Sequence, residues 1–232
     1  AGMILAFIGI ESGNDRTLRD MKKGITTSMS AKAVEILHKM GVVVFGGMIL
    51  GSPYETWEDL KRDVSFALEL AKRGLDAIQF TLYTPLPGAS SFYKLLKDNK
   101  IITFDWNQYD CLHPLLRGPV NPVRVYLASR VATYAFYVYK YLFSKAGLVL
   151  KGKPNPYVSN MAKFVTSRVP LQLYYVLKIP YDVLDVARHL AKPQLLSKFE
   201  VDQLIKAALQ PVFQVKPPLP KLKVQQVVNG NA

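Results

Sequence analysis

Three short stretches of this chain combine groups that could hold a small polar molecule: Glu11-Ser12-Gly13, Gly51-Ser52-Pro53, and Thr84-Pro85 followed by Pro87-Gly88. Each closes a short apolar run that reads as a buried strand. Together they offer one carboxylate, several hydroxyls and backbone left bare by glycine, the mixture found where strand ends meet a ligand. Glu11 is the sharpest case, because a carboxylate at a buried strand end must find a partner. That partner is either a ligand hydroxyl or amine, or Arg16 or Lys22 nearby in sequence, and spacing leaves both open. Cys111 reads as a packing residue. His38, His113 and His189 are isolated from one another, and no pair has metal-ligand spacing.

The elements that must position these stretches follow from periodicity. Met3 to Ile10, Val42 to Leu50 and Ala77 to Tyr83 read as strands. After the first, Asn14 or Asp15 can cap a short helix through Met21. Helices are expected at Ser30 to Met40, Trp57 to Lys72 and Ser90 to Asp98. Strand and helix alternate with short links, which predicts a parallel α/β sheet with right-handed crossovers. The strand ends of such a sheet lie side by side, so the three stretches should share one mouth. Gly2, Gly41 and Gly74 each precede a strand, spaced 39 and 33 residues apart. Ala1-Gly2 therefore reads as the end of a preceding helix, and the chain as the carboxyl-terminal part of a longer protein.

Beyond Asn99 the alternation stops. The expected organisation is an α/β region over 1–100, a connecting segment over 101–120, a basic aromatic helical domain over 121–210 and an extended or disordered tail over 211–232. Within the helical part, a long helix is predicted from Val123 to Ser144. Others are expected at Tyr157 to Arg168, Leu171 to Lys178, Tyr181 to Leu190 and Leu195 to Leu209.

The chain has 232 residues, half of them apolar, enough to bury a core and too apolar for a disordered protein. Its net charge of +13 is one-sided: residues 1–112 carry as many acidic as basic groups, so the whole excess lies beyond. That imbalance suggests an anionic surface or ligand for the second half. A single cysteine excludes an internal disulfide and cannot alone hold a metal centre. Without an uncharged apolar run approaching the ~18 residues of a membrane span, the chain reads as cytoplasmic.

Phe7-Ile8-Gly9-Ile10-Glu11-Ser12-Gly13-Asn14-Asp15, Met48-Ile49-Leu50-Gly51-Ser52-Pro53-Tyr54-Glu55-Thr56 and Thr84-Pro85-Leu86-Pro87-Gly88 resemble the last three strand motifs of radical S-adenosylmethionine enzymes. The likeness is closest to the branch with an amino-terminal cobalamin-binding domain. It covers about the first 110 residues, in order and at fitting intervals. Tyr109-Asp110 and His113-Pro114 resemble the end of that branch's core. The resemblance implies the last three βα units of a partial TIM-like barrel, followed here by an all-helical carboxyl-terminal domain. It also implies S-adenosylmethionine bound across the strand ends and cleaved reductively at a four-iron four-sulfur cluster to a 5′-deoxyadenosyl radical. On matching positions, Glu11 and Ser12 would contact the ribose and amino-acid part of that cofactor. Gly47, Ile49 and Gly51 would lie against adenine, and Thr84 and Pro85 would shape the neighbouring strand end. No residue is assigned a catalytic role.

The chain departs from the family pattern at Tyr54, where related proteins mostly have glycine. The cysteine triad that ligates the cluster and the cobalamin domain are both absent, which truncation explains, and the chain alone is expected to be inert. The expected substrate is a small or lipid-like hydrophobic molecule with an unreactive carbon, undergoing methyl transfer or carbon–carbon bond formation. An electron-donor protein is an expected partner. The basic aromatic helices suggest peripheral contact with the inner membrane surface. An RNA-binding or RNA-modifying module is the alternative, ranked lower because the basic residues are scattered through apolar helices without a nucleic-acid-binding motif.

Overall fold

The structure, a computed structural model, describes residues 2–143, 169–191, 197, 200 and 202–203. Strands β1 (Leu5–Glu11), β2 (Val43–Leu50) and β3 (Ala77–Leu82) form a parallel sheet in the order β1-β2-β3. Helices α1 (Asp15–Asp20) and α2 (Thr27–Lys39) link the first two strands, and α3 (Trp57–Arg73) links the second pair. After β3 come α4 (Ser90–Lys97), a 3₁₀ turn at Trp106–Gln108, α5 (Pro122–Val138), a π-helical turn at Tyr139–Phe143 and α6 (Val169–Ala191).

Local chemistry explains the limits of these elements. Helix α2 begins three residues before the periodicity does, because the Thr26 hydroxyl accepts from the Met29 amide and fixes the start. Thr56 and Asp59 form a reciprocal capping box at the start of α3. The α5 helix stops at Val138 rather than continuing to Ser144. The π-helical turn that follows accompanies Lys140 and Tyr141, which reach Asp76: the Tyr141 hydroxyl donates to the Asp76 carbonyl at 2.8 Å. The two helices expected at Leu171 to Lys178 and Tyr181 to Leu190 are one, with Pro180 inside it. The expected helix at Tyr157 to Arg168, most of that at Leu195 to Leu209 and the tail lie outside the described residues. A separate unit begins at Ser197, whose hydroxyl donates to the Glu200 carboxylate at 2.7 Å while the Glu200 amide donates back at 3.3 Å.

One face of the sheet is covered. Ile10, Val44, Met48, Leu50, Ile78, Phe80 and Leu82 pack with Val34 of α2, Leu60 and Leu70 of α3, and Val125, Tyr126 and Phe136 of α5 in a single core. Helix α5 thus shares the sheet's core, and Val186 of α6 joins the same cluster. On the opposite face, Leu5, Phe7 and Gly9 of β1 and Gln79 of β3 are exposed. Phe7 is 59% exposed although its ring meets Phe45 edge-on at 5.1 Å. Parallel sheets ordinarily bury both faces, so a bare face carrying Phe and Leu is a surface built to be covered.

Candidate functional site

The ends of β1 and β2 and the loops after them converge on one edge of the sheet. The paired row Gly9, Gly47 and Gln79 crosses the open face just below that edge, with Phe7 and Phe45 beneath it and Ile49 paired to Thr81 above. Two glycines side by side leave the backbone as the floor of a shallow cradle. A Cβ at Gly47 would stand 3.0 Å from the Phe7 ring, and one at Gly9 only 2.7 Å from Glu11 Oε1. The Glu11 side chain therefore folds back over Gly9, into the space a larger residue would fill. The register slips between Gly9 and Glu11, and Glu11 adopts a left-handed backbone with φ 66°. Such a conformation is costly for a residue with a Cβ and recurs where a side chain is aimed for use.

Glu11 is half-buried and accepts from Lys23 Nζ at 2.9 Å. Its ion-pair partner is thus neither Arg16 nor Lys22. Arg16 is committed to Asp59, and Lys22 turns through a left-handed backbone at φ 56°.

Behind the edge lies a layer of buried carboxylates. The Ser12 hydroxyl, wholly buried, donates to Asp63 Oδ1 at 2.7 Å, and the Gly13 amide donates to the same oxygen. From the other loop, the amides of Gly51 and Ser52 donate to Glu55 Oε2 at 2.6 and 3.3 Å. Glu55 Oε1 and Asp63 Oδ2 are buried without an N–H or O–H donor, and the two carboxyls act on each other directly, so a bond between them needs a proton on one. One proton held on Glu55 satisfies both oxygens. Burial, helped by the Asp63 charge, pushes the Glu55 carboxyl up to about 9, and burial raises Asp63 as well. Asp59 goes the other way. Burial opposes its charge, but bonds from Thr56 and the guanidiniums of Arg16 and Arg62 hold it below the usual carboxylate range.

The remaining sequence-predicted positions are distributed around this layer. Gly51 takes φ 79°, and a Cβ there would sit 2.7 Å from Val125 Cγ1, so its glycine is required by the turn and by α5. The Thr84 hydroxyl donates to the Leu82 carbonyl at 3.1 Å, and Pro85 is buried. Glu11, Gly47 and Ile49 line the open face, whereas the Ser12 hydroxyl points to Asp63. Neither Asp59 nor Asp63 was singled out from the sequence. Glu55, Asp59 and Asp63 stand four residues apart; Asp59 and Asp63 share one face of α3 and Glu55 lies just ahead of its cap, and that spacing was a legible signal.

Cys111 has a left-handed backbone, and its carbonyl accepts from the Leu82 amide at 2.7 Å, extending the β3 edge. His113 Nδ1 pairs with Asp110 Oδ2 at 2.9 Å, and the His38 ring lies against Gly74. Among the described residues, no group of three or more His, Cys, Asp or Glu could hold a metal ion. No helix among them is long and apolar enough to cross a membrane.

Residues 1–67, which carry β1, β2 and the buried acid layer, match the family model of the radical SAM superfamily. The chain is 30% identical over 156 residues to a protein of Pyrococcus horikoshii named an uncharacterized methyltransferase, covering 65% of this chain and 33% of that relative. It is 26% identical over 117 residues to the anaerobic magnesium-protoporphyrin IX monomethyl ester cyclase of Rubrivivax gelatinosus, covering 50% of this chain and 20% of that relative. Over residues 1–67 the chain is thus similar to the radical SAM superfamily. The chain spans a third or less of the length of these relatives.

Proposed function

We propose that this chain supplies the cofactor-seating edge of a radical S-adenosylmethionine enzyme that acts on an unreactive carbon of a hydrophobic substrate. The observation that carries this reading is the Gly9–Gly47 floor on the open face, with the Glu11 carboxylate folded over its rim. Small residues let the planar adenine approach backbone closely, and Ile49 and Phe7 supply apolar walls. The Glu11 carboxylate, half-buried, can accept from ribose hydroxyls or an α-ammonium, with Lys23 fixing its position. Thr84 and Pro85 would shape the third strand end beside this seat.

When bound at its reduced four-iron four-sulfur cluster, S-adenosylmethionine supplies a 5′-deoxyadenosyl radical. The described residues fit the nucleoside but not the cluster, for which Cys111 is the chain's single thiol. In this proposal the cluster ligands and any cobalamin domain belong to other parts of the full-length protein, as would the cover for the bare sheet face. Relatives named for methyl transfer and ring closure support an outcome of either kind. The exposed line Tyr174, Leu177, Tyr181 and Leu184 on α6 supports a lipid-like substrate met at a membrane surface.

The test is anaerobic incubation of the full-length protein with reductant and S-adenosylmethionine. Release of 5′-deoxyadenosine that is lost in Glu11→Ala supports the proposal. No release from the wild type, with its cluster verified spectroscopically, refutes it.

A further inference from the structure

Beside the cradle, a cavity of about 490 Å³ opens among the loops that follow the strands, with Asp20, Lys22, Tyr54, Tyr83, Ser91 and Lys94 on its walls. Tyr54 organises the cations there. Lys94 Nζ stands 5.3 Å and Lys100 Nζ 4.5 Å from the centre of its ring, and of the two only Lys94 lines the cavity. The Lys100 ammonium is tethered by a 3.2 Å bond to the Pro53 carbonyl. Gathering two ammonium groups on one ring opposes their mutual repulsion, which the π-face only partly offsets. Lys22, from the loop after α1, is the other cation on the cavity walls. With Asp20 on the same wall, the lining carries one net positive charge. Helix α4 also starts at this cavity, with Ser90 and Ser91 as its first residues and an Ala89 cap that offers its amides no side-chain acceptor.

We propose that this cavity binds a phosphate or pyrophosphate group carried by the substrate. Ammonium donors from two walls, serine hydroxyls and helix-start amides surround a tetrahedral oxyanion from several directions. A carboxylate is better matched by a planar arginine fork, and the lining cations are lysines. The inference rests on the strand-end edge being the active mouth: the substrate is then a phosphorylated hydrophobic molecule, anchored by its charged end while its chain reaches the open sheet face.

Calorimetric titration of the full-length protein with sodium pyrophosphate, at constant ionic strength, tests this. The expected result is a Kd below ~1 mM, weakened roughly fivefold or more by Lys94→Gln. Tyr54→Gly should also weaken binding by releasing both lysines. Lys61→Gln, on the exposed side of α3, should leave it unchanged. No binding of pyrophosphate, or the same affinity in Lys94→Gln, overturns the proposal, and equal affinity for acetate overturns the phosphate assignment. S-adenosylmethionine titrated in parallel separates the two readings. Pyrophosphate binding without cofactor binding counts against the cradle alone, and the converse counts against the phosphate subsite alone.

Discussion

Glu55 and Asp63 share one proton in the interior, and through it they join the loop after β1 to the loop after β2. Asp63 holds Ser12 and Gly13, while Glu55 holds Gly51 and Ser52. Neither acid touches the open face, yet together they set the relative height of the two strand ends that form it.

The shared proton makes stability depend on pH with a definite sign. Glu55 rises from 4.5 in the unfolded chain to about 9 in the fold, so the native state keeps a proton that the unfolded state has released. Its contribution is complete below the unfolded value and is lost as pH climbs through the folded one, by up to ~1.4 kcal/mol per pH unit. Urea denaturation at about pH 5, 7 and 9 should show stability falling in the wild type and a flatter profile in Glu55→Gln. The amide mimics the protonated acid, donating to Asp63 and accepting from Gly51. Identical slopes in the two proteins would remove the shared proton from the account.

Gly51 is constrained twice, by φ 79° and by Val125 Cγ1 at 2.7 Å from any added Cβ. Gly51→Ala should cost about 2 kcal/mol. Combined with Val125→Ala, the losses should fall short of their sum by about 1 kcal/mol, because the shortened side chain relieves the clash but not the dihedral strain. Simple additivity in denaturant melts would mean that α5 does not press on this turn.

At the other end of β3, Lys140 and Asp76 form a wholly buried pair, 3.4 Å apart, in which Asp76 also accepts from the Val44 amide at 2.9 Å. Burial lowers the Lys140 ammonium and the Asp76 charge opposes that. Lys140→Met strands a buried carboxylate and should destabilise by about 3 kcal/mol, and adding Asp76→Asn should recover most of the loss. Equal stability of the single variant and the wild type would show that the pair is not desolvated as described.

The sheet was legible because strands β1 to β3 are short apolar runs punctuated by glycine, and α3 because Leu60, Ala67 and Ala71 repeat at helical spacing. The strand ends at Glu11 and Gly47 were legible as motifs, but the partner of Glu11 was not. Lys23 lies twelve residues away and reaches back only because the α1 loop folds over the edge. The end of α5 was missed because the π-helical turn's buried partner, Asp76, lies 64 residues before Lys140. Pro180 suggested a break where α6 runs on, a tertiary outcome that local propensity does not encode. The Glu55–Asp63 pair escaped because acids on a helix and just before its start are ordinarily read as solvated, and only the four-residue spacing through Asp59 hinted otherwise.

The central claim is that the glycine row on the open face seats S-adenosylmethionine. Equilibrium dialysis of the radiolabelled cofactor against full-length wild type and Gly47→Leu tests it most directly, since a leucine would fill the floor and its Cβ would meet only the exposed Phe7 ring. The account predicts at least a roughly tenfold loss of affinity in the variant, about 1.4 kcal/mol, with its thermal stability little changed. Wild-type affinity in a folded Gly47→Leu protein would contradict it.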